Sequence, residues 1–337
     1  MYHGRFLKSH YEAGYRWGKL LFSRGKIISD NPTFVITEER KLFVERCMPL
    51  YQEYYPEILE EIRGIAEGQG DSYENLCVFL FSMYCFEFNN RCTCFAIADK
   101  DNIILGRNSD FLVSLEKLYM NCLYRLEKGY SFNGNTTAFV QIEDGINEYG
   151  LAVGLTFVYP TVFKPWLNAG ILVRYLLEKC KSTREAIVQL KRLPIASSQT
   201  ITIADRSGDI VVVECNSDDI VIIEPQKNDC FVGTTNHFNS RKLAKYNNVG
   251  IDDWKSSERF ETVNKTLEKN KEHYSLNLAK ELLSGKYGFM CQYDRSKDAD
   301  TVWSVIYDIK NSEIFRAEGN PSRRAFNKDA RLKFSFY

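Results

Sequence analysis

Three side chains within one short stretch, Cys92, Arg107 and Asp110, are of the types that nucleophilic chemistry uses. A thiol reacts as its thiolate, and a neighbouring guanidinium favours that form. A carboxylate beside them is suited to holding an amine in place. The bland alternatives are one more buried cysteine and an ordinary strand-end ion pair.

Bringing these three together requires a β-hairpin. Residues 93–98 and 103–108 are β-prone runs, and the polar tetrad 99–102 supplies the turn between them. A hairpin closes its outer ends on each other, so Cys92 on one arm comes near Arg107 and Asp110 on the other. Upstream, residues 1–91 read as mostly helical. A helix over 11–24 carries Gly14 and Gly18 one turn apart, a spacing that permits close helix contact. Within 48–70, Pro56 suits a first turn, Ile58, Ile62 and Ile65 share a face, and Gly68 and Gly70 end the helix. A more apolar helix over 72–86 delivers the chain to Cys92.

From 92 onward the pattern turns to strands, at 118–126, 136–142 and 150–158. Helices follow at 169–180 and 183–193, the second capped by Ser182 and closed by Pro194. Four short strands come next, at 200–205, 209–216, 220–224 and 230–234. Helices at 256–269 and 276–283 precede a last hairpin of 301–308 with 313–317. That alternation predicts an α+β chain, a two-sheet sandwich with helices on both outer faces.

Cys92-Thr93 followed by Gly106-Arg107-Asn108-Ser109-Asp110 resembles the N-terminal-nucleophile amidohydrolases. The nearest likeness is to the acyl-coenzyme A:6-aminopenicillanic acid acyltransferase family, a relative of the choloylglycine hydrolases. Further stretches look similar in order and spacing: 60–68, Asn147-Glu148-Tyr149-Gly150, Thr235-Asn236-His237-Phe238, Ser257-Glu258-Arg259-Phe260 and Gly319-Asn320-Pro321. The resemblance implies a four-layer αββα N-terminal-nucleophile hydrolase sandwich. It also implies a precursor that cuts itself between Arg91 and Cys92, leaving a helical 1–91 piece and a catalytic 92–337 piece associated in one compact domain. Cys92 is then the nucleophile, with Arg107 favouring its thiolate and Asp110 holding its amine. Asn147 and Asn236 would help build an oxyanion hole, and Arg259 would join the site. Each asparagine also reads as a plain turn residue, and Arg259 as part of a solvated helix face. This sequence departs from the pattern twice, with Arg91 where the family usually has Gly and Cys94 where it usually has Ser or Thr.

A terminal cysteine can use its own α-amine as base, since the amine's pKa of about 8 lies near that of a thiol. No histidine is needed, and the chain has only four. The implied substrate is a small-molecule linear amide or acyl donor. Water as acceptor makes the enzyme a hydrolase, and an amine makes it an acyltransferase. The alternative is a non-processing, catalytically idle descendant that serves as a small-molecule binding or interaction protein.

Composition narrows the rest. Lys plus Arg equals Asp plus Glu, 44 each, so no net field draws the chain to nucleic acid or an anionic membrane. Over 337 residues, a 44% hydrophobic content is ample for a sizeable core. Ten scattered cysteines read as buried free thiols of a reducing compartment, and the first ten residues lack the apolar core of a signal peptide. The longest apolar stretch, 76–86, is too short to span a bilayer. A cytoplasmic protein is expected, with a homo-oligomer left open. Cys92 and Cys94 lack zinc spacing, and neither G-x-G-x-x-G nor a P-loop occurs, so neither metal nor cofactor is expected.

Overall fold

Alternation along the hairpin decides the layers, because successive strand residues face opposite sides. The computed structural model describes residues 1–31, 34–86, 90–227 and 229–335. Its first elements are β1 (Tyr2–Lys8), α1 (His10–Ser23), α2 (Glu38–Tyr54), α3 (Pro56–Gln69) and α4 (Tyr73–Ser82). The hairpin is β2 (Arg91–Ala98) and β3 (Ile103–Leu112), followed by β4 (Met120–Leu126), β5 (Phe132–Thr136), β6 (Asp144–Asn147) and β7 (Ala152–Phe157). Next come α5 (Ala169–Lys179), α6 (Thr183–Leu190), β8 (Gln199–Ala204), β9 (Ile210–Cys215), β10 (Ile220–Ile223) and β11 (Phe231–Thr234). The chain ends with α7 (Ser256–Lys269), α8 (Leu276–Leu283), β12 (Ala299–Asp308), β13 (Glu313–Ala317) and β14 (Asn327–Lys328).

These strands form two sheets, ordered β1-β4-β5-β6-β7-β8-β9-β10 and β11-β2-β3-β12-β13-β14. Cys94, Ala96, Leu105, Val305 and Tyr307 point from the smaller sheet into a core shared with Leu123, Ile146, Ala152, Ala204 and Val212 of the larger. On the smaller sheet's outer face, Phe95, Ile97, Ile104 and Ile306 pack on Val263 and Leu267 of α7 and Leu278 and Leu282 of α8. Tyr124, Phe132, Val153, Ile201 and Val213 turn outward from the larger sheet into a cluster with helices of the first half and α5. The result is the expected α+β sandwich, two sheets between helical layers. No helix among the described residues is long and apolar enough to cross a membrane.

Helices α7 and α8 fall where the sequence predicts them, and the hairpin strands extend beyond prediction at Arg91 and at 109–112. Three differences have physical causes. β1 is a strand where helix or loop is expected, and it pairs in parallel with β4, a partner over a hundred residues away. Helix α2 has no counterpart among the expected elements; it stops at Tyr55, whose extended φ of −151° suits the residue before Pro56. The strand expected at 136–142 is instead β5, ending at Thr136, and a turn in which Phe139 takes a φ of +54°. Val140 and Ile142 look strand-like in sequence because they face the large outer cluster.

The Gly14 and Gly18 spacing does what it predicts. Both face α3, and a methyl group on Gly18 would lie 2.2 Å from the Ile65 carbonyl oxygen. Gly64 answers from the other side, where a methyl group would lie 2.2 Å from the Tyr11 carbonyl oxygen. The obstacle is backbone, so Gly18→Ala must force the helices apart. An expected loss of about 1–3 kcal/mol follows, read by urea unfolding. A loss under about 0.5 kcal/mol would show that this close crossing is dispensable.

Candidate active site

Antiparallel register determines which side chains meet. Arg91 lies opposite Asp110, Cys92 opposite Ser109 and Cys94 opposite Arg107. Opposed residues share a face. The Cys92 thiol, Ser109 hydroxyl and Arg107 guanidinium therefore enter the space between the sheets, while Arg91, Thr93 and Asp110 face the α7 and α8 side.

Cys92 is fully buried. Its Sγ lies 2.8 Å from Arg107 Nη2, and the thiol donates to Asn90 Oδ1 at 2.8 Å. Glu143 closes the cluster. Its Oε2 accepts from Arg107 Nη2 at 3.1 Å, Asn90 Nδ2 at 2.8 Å and Ser109 Oγ at 3.1 Å. Its Oε1 accepts from Thr137 Oγ1 at 2.6 Å. Arg107 Nη1 donates to Asp144 at 2.7 Å, and its Nε to the Leu155 carbonyl at 2.9 Å. Burial opposes the Arg107 charge, but the acidic groups around it more than compensate, so its pKa is raised.

The main chain of Cys92 is held from the other side. Its N–H donates to Asn236 Oδ1 at 2.9 Å, and its carbonyl accepts from Arg259 Nη1 at 2.6 Å. Arg259 also reaches Thr93 Oγ1 at 2.9 Å and Asn236 Oδ1 at 2.8 Å. Helix α7 sets both groups: Arg259 lies in its first turn, and Ser256 at its start accepts the Asn236 N–H at 2.8 Å.

The structure thus brings Cys92, Arg107, Asn236 and Arg259 together, with corrections in detail. Asn236 approaches with its acceptor oxygen, while its Nδ2 donates to the Phe157 carbonyl at 2.7 Å. It holds the Cys92 N–H instead of offering a donor to an oxyanion. Asp110 bonds to Thr301 Oγ1 at 2.6 Å and Tyr293 OH at 2.9 Å, and it faces Arg259 at 3.7 Å, so it reaches Cys92 only through that arginine. Asn147 does not join the cluster. Its amide donates to the Leu177 and Cys180 carbonyls and accepts the Tyr149 and Leu151 N–H groups, fastening the β6–β7 turn to the end of α5. An oxyanion role for it is overturned, because both amide hydrogens are already used.

Burial pushes the Cys92 thiol up to about 12, against the downward pull of Arg107, so with its nitrogen in a peptide bond the thiol is held protonated. Cys94, equally buried two residues on, packs against Gly154. Arg91 is almost fully buried, donating to the carbonyls of Asn90 at 3.0 Å and Asp252 at 2.8 Å. Sequence reasoning missed Asn90, Glu143 and Asp144. The only signal for the acidic pair is its position directly after 138–142, a stretch that is apolar but for Gln141. Among the described residues, no cluster of three or more His, Cys, Asp or Glu side chains could hold a metal ion.

A model of the acyl-coenzyme A:6-aminopenicillanic acid acyl-transferase family matches residues 97–323, more than half of the chain. No curated protein matches it. Similar solved structures include penicillin V acylase from Agrobacterium tumefaciens, at 15% identity and a TM-score of 0.47, covering 72% of this chain and 88% of that one. Two variants of the conjugated bile acid hydrolase from Clostridium perfringens are also similar, each at 15% identity over 73% of this chain and 99% of theirs, with TM-scores of 0.47 and 0.49.

Asp110 yields a prediction about pH. Burial raises its carboxyl to about 6, although Arg259, Thr301 and Tyr293 pull downward. A carboxyl raised above its unfolded value of about 3.9 stabilises the fold at low pH and loses that contribution as pH rises through 6. In a Cys92→Ala background, Asp110→Asn should therefore gain stability relative to its parent between pH 4 and 7, by up to about 3 kcal/mol. Urea unfolding across that range checks it; parallel pH curves for the two proteins would contradict it.

Proposed function

The chain belongs to the acyl-coenzyme A:6-aminopenicillanic acid acyl-transferase family, and from that membership and the Cys92 cluster we propose a self-processing N-terminal-cysteine amidohydrolase or acyltransferase. It acts on linear amide bonds through an acyl-cysteine intermediate. A single observation carries the reading: both ends of one residue are held by polar partners, the Cys92 nitrogen on Asn236 and the thiol on Arg107. A residue that must later serve as both base and nucleophile needs that arrangement.

Self-cleavage follows from attack of the Cys92 sulfur on the Arg91 carbonyl carbon. The S–C bond forms, the C–N bond breaks, and the Cys92 nitrogen takes the proton and becomes an amine. Water then hydrolyses the thioester, leaving an Arg91 carboxylate and a free thiol. Asn236 Oδ1, already on that nitrogen, is placed to orient the new amine, and Arg259 holds the Cys92 carbonyl. Catalysis repeats the first half on a substrate amide. The α-amine takes the thiol proton, with Arg107 supporting the thiolate, and water or an amine resolves the acyl-cysteine.

The two pieces stay together because a buried polar network spans the cut. Arg174 of α5 bonds Glu61 of α3 at 2.7 Å and Glu178 at 2.5 Å. Glu178 in turn bonds His10 of α1 at 3.0 Å and Tyr55 at 2.6 Å. Separating the pieces would leave these charges buried without partners or drag them into water.

A panel of acylated amino acids, penicillins and bile-salt conjugates tests the proposal, with mass spectrometry locating any trapped acyl group. Turnover is expected in the parent protein and in Cys94→Ala, with loss of at least about 10³-fold in Cys92→Ala. Activity that survives Cys92→Ala but falls with Cys94→Ala would move the nucleophile and undo this assignment.

A further inference from the structure

Asn90 puts a carboxamide beside the thiol. Its Oδ1 accepts from the Cys92 thiol and its Nδ2 donates to Glu143 Oε2, each at 2.8 Å. The partners fix which way the amide faces: a carboxylate oxygen accepts, so the nitrogen must lie on Glu143 and the oxygen on the thiol. Asn90 is buried and belongs to the segment before the proposed cut, so cleavage frees it to withdraw. What remains is a slot between a thiol and a fixed carboxylate. Arg107, Ser109 and Thr137 continue to hold Glu143, and its Oε2 has lost one donor.

Building on the amidohydrolase reading, we propose that Glu143 determines specificity by accepting the N–H of the substrate's amide. The substrate class is then primary and secondary amides, seated as the Asn90 carboxamide is, with the carbonyl against Cys92 and the nitrogen against Glu143. A buried acceptor deprived of its donor is costly. An ester offers lone pairs there in place of hydrogen, and an N-methyl amide offers a methyl group. In the acylation step the sulfur–carbon bond forms and the carbon–nitrogen bond breaks. The thiol proton travels through the Cys92 α-amine to the leaving nitrogen.

The test uses the parent protein and Glu143→Gln with three compounds that share the acyl group best hydrolysed in the amide panel: its butylamide, its N-methyl butylamide and its butyl ester. In the parent, kcat/KM for the N-methyl butylamide should fall about 100-fold or more below that of the butylamide. A glutamine presents an N–H of its own, which suits an ester oxygen. Glu143→Gln should therefore shift the ester-to-amide ratio of kcat/KM toward the ester by at least about 10-fold. A purely structural role would lower both substrates in proportion, and that result overturns the inference. So does parent protein that hydrolyses the N-methyl butylamide within about threefold of the butylamide, a measurement that does not depend on the variant folding. If no compound of the panel acylates Cys92 in the parent, the amidohydrolase reading itself fails; an acylated Cys92 without N–H discrimination refutes only the role of Glu143.

Discussion

One guanidinium sits between two sheets, out of contact with bulk solvent, and much of the structure is arranged around that fact. Arg107 is fully buried, so its charge must be answered by carboxylates and hydrogen bonds already in place. Asp144 and Glu143 answer it. Asp144 needs donors in its turn and finds them in Asn135 of β5 and in Trp303 and Tyr307 of β12. Strands from both sheets are thus tied through one charged group, and the guanidinium nitrogen that pairs with Glu143 also lies against the Cys92 sulfur. The polar setting of Cys92 is a consequence of how the sandwich satisfies its own interior.

On the proposed reading, the intact chain keeps Cys92 latent. The thiol is protonated, its nitrogen is tied up in a peptide bond, and the thiol donates to Asn90. The proposed cut would change all three conditions at once, because the amine would bring a base within reach of the thiol and the preceding residues would gain freedom to leave. The N-terminal stretch is more than a cover, however. It contributes β1 to the eight-stranded sheet and His10, Tyr55 and Glu61 to the buried network around Arg174. Loss of the whole stretch would open the larger sheet's outer face, whereas loss of one peptide bond leaves that face covered.

Local features of the chain are legible in the order of its residues. A hairpin with a polar tetrad at its turn, a Ser182 cap and two amphipathic helices at α7 and α8 are all decided within a few residues, and they fall where expected. Cys92, Arg107, Asn236 and Arg259 can be picked out by their resemblance to a family's motifs and do converge. What escapes depends on distant packing. β1 is a strand because β4 offers it an edge, which its own partly exposed sequence does not announce. Glu143 and Asp144 look like a polar turn after an apolar run, and only the approach of the second sheet turns them into the counter-charges of Arg107. Asn147 misleads in the opposite direction: its place in a familiar run of residues suggests chemistry, while its four hydrogen bonds close a turn.

Everything proposed for the site requires Cys92 to become the first residue of a chain. Intact-mass spectrometry of freshly purified protein measures that directly, with Cys92→Ala as the uncleavable control. Self-processing predicts two masses for the parent, pieces of 91 and 246 residues (337 − 91), and one full-length mass for the variant. Parent protein that hydrolyses amides while showing only the full-length mass would contradict catalysis by a terminal amine.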